Sequence, residues 1–246
     1  MGAADPSGDR QNVVHRVRHA LRHPGHIAYH RAVTEDDTDR SPEAAAGYDP
    51  SREHWTQLGR MQFDYLLAHG LRPEHHVLEI GCGNLRAGRL LIDHLETGHY
   101  YGIDISPAIL LAAQGTLVRE GLQAKLPHLT LVGDLTFGFL PEGHFDVVHA
   151  HSVFSHSPRQ VVEQCLAHVG RILAPGGHFD FTFNRTEGRE HQAPHEDFSY
   201  RTRTLTTIAA RHGLKVRFMD DWERLPHRQS KIRVTLMSDR ARTVGP

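Results

Sequence analysis

A chain of 246 residues suits one domain with additions and is long enough to bury a substantial core. At 39% hydrophobic and 23% charged residues, with a net charge of -1, it has a globular composition and no global field to recruit nucleic acid or an anionic membrane. No segment reaches the about 18 apolar residues of a membrane span, residues 1–10 lack the apolar core of a secretory signal, and two cysteines, Cys82 and Cys165, make neither a disulfide framework nor a metal site. A cytoplasmic location is the expectation.

In chain order, residues 1–11 read as disordered. Val13, Val14, Val17, Ala20 and Leu21 are spaced as one face of a basic amphipathic helix over residues 12–23, stopped by Pro24-Gly25. Its apolar face is short and lacks Trp or Phe, so it reads as a lid or a homodimer contact and not as a membrane anchor. Residues 34–50 form an acidic linker, which closes an N-terminal extension at residue 50. A second helix spans residues 51–70, with Trp55, Leu58, Met61, Tyr65 and Leu66 on one face and Gly70 ending it. Core packing is the default for that stripe.

From residue 77 strands and helices alternate. Strands are predicted at 77–80, 100–103, 129–132, 145–150, 178–183, 215–219 and 231–237. Helices are predicted at 85–95, 107–120 (Ser106 as cap, Pro107 in the first turn), 157–173 and 202–212. Alternation with short links predicts an α/β fold: a doubly wound, mainly parallel sheet covered on both faces. The last two strands have no helix between them and predict an antiparallel C-terminal ending. The main unit therefore covers residues 51–240, with a helical lead-in at 51–76, a core at 77–183, and a loop with C-terminal strands at 184–240.

The chemistry concentrates at Val77-Leu78-Glu79-Ile80-Gly81-Cys82-Gly83-Asn84. A buried run carrying one acid ends in two glycines, and Asp104 closes the next strand 21 residues after Gly83. Two glycines let a ligand approach the backbone, and an acid after the second strand suits a ribose. Glu79 would repel a pyrophosphate, and Arg86 stands where a dinucleotide fingerprint has its third glycine. Both departures favour S-adenosylmethionine (SAM) over a nicotinamide dinucleotide.

The set resembles the class I SAM-dependent methyltransferases of the small-molecule type. Residues 77–83 resemble that family's first motif, Tyr101-Gly102-Ile103-Asp104-Ile105-Ser106 its second and Gly133-Asp134-Leu135 its third. Residues 145–156 resemble the fourth motif, and Ala174-Pro175-Gly176-Gly177 the turn before the fifth strand. The resemblance spans about residues 77–237. It implies a Rossmann-like, seven-stranded sheet, SAM as cofactor and methyl transfer to a small organic acceptor (O-, N- or C-methylation). It implies Glu79, Gly81 and Gly83 along the methionine part, Asp104 on the ribose hydroxyls and Ile105 on the adenine. It also implies Asp134 and Leu135 at the adenine amino group, and Ala150 and His151 nearest the sulfonium. The alternative left open is a SAM-binding protein that uses the cofactor non-catalytically or for another reaction. A nicotinamide oxidoreductase is disfavoured. The arginine-heavy composition is compatible with secondary metabolism.

Methyl transfer is an in-line displacement that sometimes requires removal of a proton. His151 and His156 follow the fourth strand, where the acceptor should approach, and are the candidate bases. His149 reads as packed. The loop at 184–200 holds Glu187, Glu190, His191, His195 and Glu196, and in the resembled family this region often overlies the acceptor pocket. Pro194 breaks the helix that a metal-binding pair would need, so no metal is expected.

Overall fold

A computed structural model describes residues 52–191 and 198–237. The helix read at 12–23, the linker at 34–50 and part of the 184–200 loop lie outside the described residues. Helix α1 (Arg52–Ala68) is followed by β1 (Val77–Ile80), α2 (Gly88–His94), β2 (Tyr100–Asp104), α3 (Pro107–Arg119), β3 (His128–Leu131) and β4 (Phe145–Ala150). The chain continues through α4 (Arg159–Ile172), β5 (Leu173–Arg185), β6 (Ser199–Tyr200), α5 (Thr202–Arg211), β7 (Leu214–Phe218) and β8 (Ser230–Leu236).

The seven main strands run in the order β3-β2-β1-β4-β5-β8-β7, and the two-residue β6 lies parallel to the end of β5. Strands β1 to β5 pair in parallel, while β8 is antiparallel to both β5 and β7. The mainly parallel sheet with its antiparallel C-terminal strand matches the expected fold class. Strand β1 lies between β2 and β4, so the strand order reverses there. Open parallel sheets bind ligands at the carboxyl ends flanking such a point.

Strand pleating divides the side chains. Leu78, Ile80, Val148, Phe179, Phe181, Phe183, Ile232 and Val234 pack beneath α4 and α5. The α4 stripe of Val162, Cys165, Leu166, Val169 and Ile172 is buried, and at about 1.5–3 kcal/mol per large apolar side chain its burial gives most of the helix its stability. On the opposite face, Val77, Tyr100 and Val147 pack against Phe63 and Leu66 of α1 and Leu91 of α2. Helix α1 ends as the sequence predicts: Gly70 has φ +92°, and Leu71 N–H donates to Leu66 O at 2.9 Å.

Toward β5 and β8 that second face becomes polar, although it is buried. Asp180 accepts from Arg233 Nε and NH2, both at 2.8 Å. His149 Nε2 donates to Gln62 Oε1 of α1 at 3.3 Å. Lys231, fully buried, places Nζ 4.0 Å from the Trp222 ring centre and 4.4 Å from that of Tyr65. Tyr65 OH donates to Asp221 at 3.0 Å, which His69 also contacts at 2.7 Å.

Two boundaries differ from the sequence reading by more than two residues. The helix expected from residue 85 begins at Gly88, because Leu85 is left-handed at φ +69° and cannot continue an α-helix. The strand expected from His178 is already under way at Leu173, with a register shift against β4. A Cβ at Gly177 would lie 2.6 Å from Phe145 O, so glycine is required for that close pairing.

Candidate active site

Two cavities open at the carboxyl ends of β1, β2 and β4. The first is walled by Ile103, Asp104, Ile105, Val132, Asp134 and Leu135 on one side, and by Val153, His156, Val161 and Gln164 on the other. The second is walled by Glu79, Gly83, Asn84, Arg86, Trp55 and Gln62. Gly81 and His151 line both, so the two cavities meet at these residues.

The turn after β1 builds the seam. Gly81 has φ +67°, and a Cβ there would lie 2.6 Å from Val153 Cγ2. Gly83 has φ +55°, and its N–H donates to Asp104 Oδ2 at 3.0 Å. Asp104 Oδ1 accepts from Ser106 N–H at 3.0 Å, and Ser106 Oγ caps α3 by accepting from Ile109 N–H at 3.3 Å. Burial raises the Asp104 carboxyl, and these backbone donors oppose the rise. A carboxylate offers about four lone-pair sites, so the backbone donors of Gly83, Ser106 and Ile105 do not exhaust its acceptor capacity.

Asp134 is exposed. It accepts from Thr136 N–H at 2.9 Å and Thr136 Oγ1 at 2.7 Å, which lower its carboxyl below the usual range. Leu135 is buried beside it and anchored by its N–H to Gln164 Oε1 at 3.0 Å. Glu79 is buried and accepts from Tyr100 OH at 2.5 Å; burial pushes its carboxyl up to about 7, against the pull of Tyr100 and Arg86.

His151 is held between Trp222 and the turn. Its ring makes an edge contact with Trp222 at 5.8 Å, and Nδ1 is buried without a hydrogen-bond partner. Burial, then the Arg86 and His149 charges, push the imidazole well below its ordinary value, so it is neutral near pH 7. The next residue, Ser152, is left-handed at φ +60°. Its N–H donates to Thr182 Oγ1 at 2.8 Å, and its hydroxyl donates to Gln229 Oε1 at 3.1 Å. His156 is exposed, at the rim of the first cavity only.

Residues 78–179 match the model of a family described as the methyltransferase domain. Over that stretch the chain is similar to methyltransferase domains. Among curated proteins, a sterol 24-C-methyltransferase of Gibberella zeae is 30% identical over 118 residues, covering 47% of this chain and 30% of that protein. A malonyl-[acyl-carrier protein] O-methyltransferase of Paenibacillus sp. is 28% identical over 159 residues, covering 63% and 54%. The chain spans less than two thirds of the length of these relatives. The SAM-bound magnesium protoporphyrin IX methyltransferase of Synechocystis PCC 6803 superposes with a TM-score of 0.65 at 16% identity, covering 87% of this chain and 98% of that one. That likeness concerns the fold.

The two cavities fit SAM on their own chemistry. Asp104 has spare acceptor capacity for hydroxyl groups, Ile105, Val132 and Leu135 offer apolar surface for a flat base, and glycine backbone lines the seam. The site nominations fall unequally on this geometry. Asp104, Ile105, Asp134, Leu135 and His156 line the first cavity, Glu79 and Gly83 the second, and Gly81 and His151 both. Ala150 ends β4. It is fully buried in the core beneath α4 and lines neither cavity. Val153, Val161 and Gln164 were not foreseen. Val161 and Gln164 lie three residues apart on α4, so helical spacing after the fourth motif was the available signal. Among the described residues no three metal-ligating side chains converge, and no helix is long and apolar enough to cross a membrane.

Proposed function

We propose that this protein transfers the methyl group of SAM to a small organic acceptor, with His151 as the base. The observation that carries the reading is the seam. One half-buried, neutral imidazole borders both the cavity that suits a nucleoside and the cavity beside it. Asp104 would accept from the ribose hydroxyls, Ile105 and Leu135 would flank the adenine, and Asp134 would accept from its amino group. Glu79, Gly81 and Gly83 would follow the methionine part. SAM, when bound, supplies an electrophilic methyl group on a sulfonium. The fold holds the acceptor's hydroxyl, amine or acidic carbon near the seam, and the walls exclude water. The neutral His151 imidazole would take the acceptor's proton as the bond from the acceptor to the methyl carbon forms and the methyl–sulfur bond breaks, leaving S-adenosylhomocysteine. His156, at the first cavity's rim, is the second candidate for a base or substrate ligand. Residues 51–240 form the catalytic unit in this reading.

The test uses methyl-labelled SAM with a panel of small hydroxyl, amine and carbon acids. Label should enter a small-molecule product, and His151→Gln should lower turnover by at least about 100-fold with SAM affinity kept, the range for loss of a general base. SAM binding without label transfer to any acceptor would favour a non-methylating use of the cofactor. Binding of NADH without SAM would overturn both.

A further inference from the structure

Among the described residues Lys231 is the one fully buried lysine or arginine. It lies on β8, and its Nζ forms no hydrogen bond with a described residue. Asp180, on neighbouring β5, gives both its oxygens to Arg233 at 2.8 Å. The ammonium is held by aromatic rings instead. Nζ lies 4.0 Å from the Trp222 ring centre and 4.4 Å from that of Tyr65, and the two rings meet edge to face at 4.8 Å. A ring's negative face attracts a cation most strongly where water is excluded.

The two rings come from separate parts of the chain. Tyr65 belongs to α1, and Trp222 to the short turn 222–224 between β7 and β8. Trp222 Nε1 donates to Gln229 O at 3.0 Å, and the indole meets the His151 ring edge-on at 5.8 Å. Trp222 therefore touches both the Lys231 ammonium and the imidazole at the seam. An apolar side chain would fill the Lys231 space without the cost of burying a charge. What the charge adds at this place is its grip on the two rings.

We propose that Lys231 is a positioning residue: its ammonium fixes the Trp222 indole and, through it, the His151 ring at the seam of the two cavities. The assignment rests on the proposed role of His151 as the base, but the ring's position can be read without turnover. Burial brings the Lys231 ammonium down to about 8, against the pull of Asp180, so the grip is closed at neutral pH and opens as pH rises through that value. The charged groups around it are Asp180 of β5, Arg233 of β8 and Asp221 beside Trp222. Tyr65 of α1 is held well above its ordinary value by burial, and burial keeps His149 of β4 and His178 of β5 neutral. His227 packs on Trp222 and His69 contacts Asp221, and both remain in every variant below.

The test uses the full chain carrying isotope-labelled histidine, with the His151 signal assigned by its loss in His151→Gln. Trp222 emission is read in a Trp55→Phe background. In the otherwise wild-type protein both signals should move in one step with a midpoint near pH 8. In Lys231→Met, which fills the space without the charge, both should sit at their high-pH position already at neutral pH and show no step. Lys231→Arg keeps a cation that does not discharge in this range, so it should hold the low-pH position throughout. If arginine does not fit the buried space, the wild-type and methionine proteins still decide. A step that persists in Lys231→Met overturns the role of Lys231. So does a His151 signal that is the same in wild type and Lys231→Met at neutral pH, even if Trp222 emission shifts. Full methyl transfer by His151→Gln would overturn the base reading instead, and leave the grip on Trp222 standing.

Discussion

Ser152 Oγ donates to Gln229 Oε1 at 3.1 Å, joining residues 77 positions apart. The same oxygen accepts from Thr182 Oγ1 at 2.7 Å, and Thr182 Oγ1 accepts the Ser152 N–H at 2.8 Å. Gln229 O also accepts from Trp222 Nε1 at 3.0 Å, and Trp222 supports the His151 ring. A left-handed non-glycine residue costs about 1 kcal/mol or more, so this network holds Ser152 in a conformation it would otherwise leave. Gln229→Leu should therefore let His151 drift. Turnover should fall by at least about tenfold, given how steeply proton transfer depends on position, with SAM affinity within about twofold of wild type. Steady-state kinetics with parallel calorimetry measure both, and an equal loss of SAM affinity would reduce Gln229 to a general structural role.

Stability should fall on acidification through pH 6.5. Burial, then Lys231, pushes His149 down to about 3, and burial pushes His178 to about 4 despite Asp180. Unfolded histidines titrate near about 6.5. Below that pH the unfolded chain binds protons that the folded chain refuses, so each residue removes about 2 kcal/mol by pH 5. His151 acts in the same direction. Glu79 acts oppositely: its folded value of about 7 exceeds the unfolded one of about 4.3, so the folded state gains stability as pH falls between them. Urea unfolding from pH 8 to 5 should show a net loss, steeper in Glu79→Gln and shallower in His178→Gln. Identical slopes in all three proteins would refute these linkages.

The elements that position the site were legible because their signals are local. Apolar runs marked β1 and β4, Ser106-Pro107 marked the α3 start, and Gly81 and Gly83 marked a turn that a Cβ would obstruct or reshape. Leu85 was misread because helical spacing hides a single left-handed residue. The polar layer beneath α1 was invisible for a different reason. Lys231 reads as the exposed start of a strand, Asp180 as an ordinary strand acid, and Gln229 as a loop amide. Their meaning lies in pairings with Trp222, Arg233 and Ser152, and only packing α1 and the C-terminal strands onto the sheet creates them. Arg86 lay between the two cases. Its departure from the glycine pattern was visible, but its place in the wall of the second cavity was not.

Arg233→Met should destabilise the fold by about 3–5 kcal/mol, because it strands the Asp180 charge in the interior. Burial alone would raise the Asp180 carboxyl, yet the Arg233 hydrogen bonds and neighbouring cations hold it down to about 2. The variant should therefore carry an Asp180 that titrates upward, and its deficit should shrink as pH falls toward 4. The double variant Asp180→Leu/Arg233→Met should recover much of the loss, since a buried pair is often replaceable by apolar volume. Chemical unfolding of the three proteins checks this. A double variant no more stable than Arg233→Met would show that the pair does more than neutralise itself.

Asp104→Asn tests the nucleoside cavity. The carboxylate serves the fold by accepting from Gly83 N–H and Ser106 N–H, and in the proposed reading it serves the ligand with its remaining capacity. An amide keeps the shape but replaces one acceptor with a donor, so it must face one backbone N–H donor to donor or turn its NH2 toward the ribose. Affinity for S-adenosylhomocysteine should fall by at least about tenfold, the scale of one or two charge-assisted hydrogen bonds. Stability without ligand should change less, by about 1 kcal/mol for one turn hydrogen bond. Calorimetry and unfolding on the same preparation separate the two effects. Unchanged affinity would remove Asp104 from the ribose and leave it as a carboxylate that ties the β1 turn to the α3 cap.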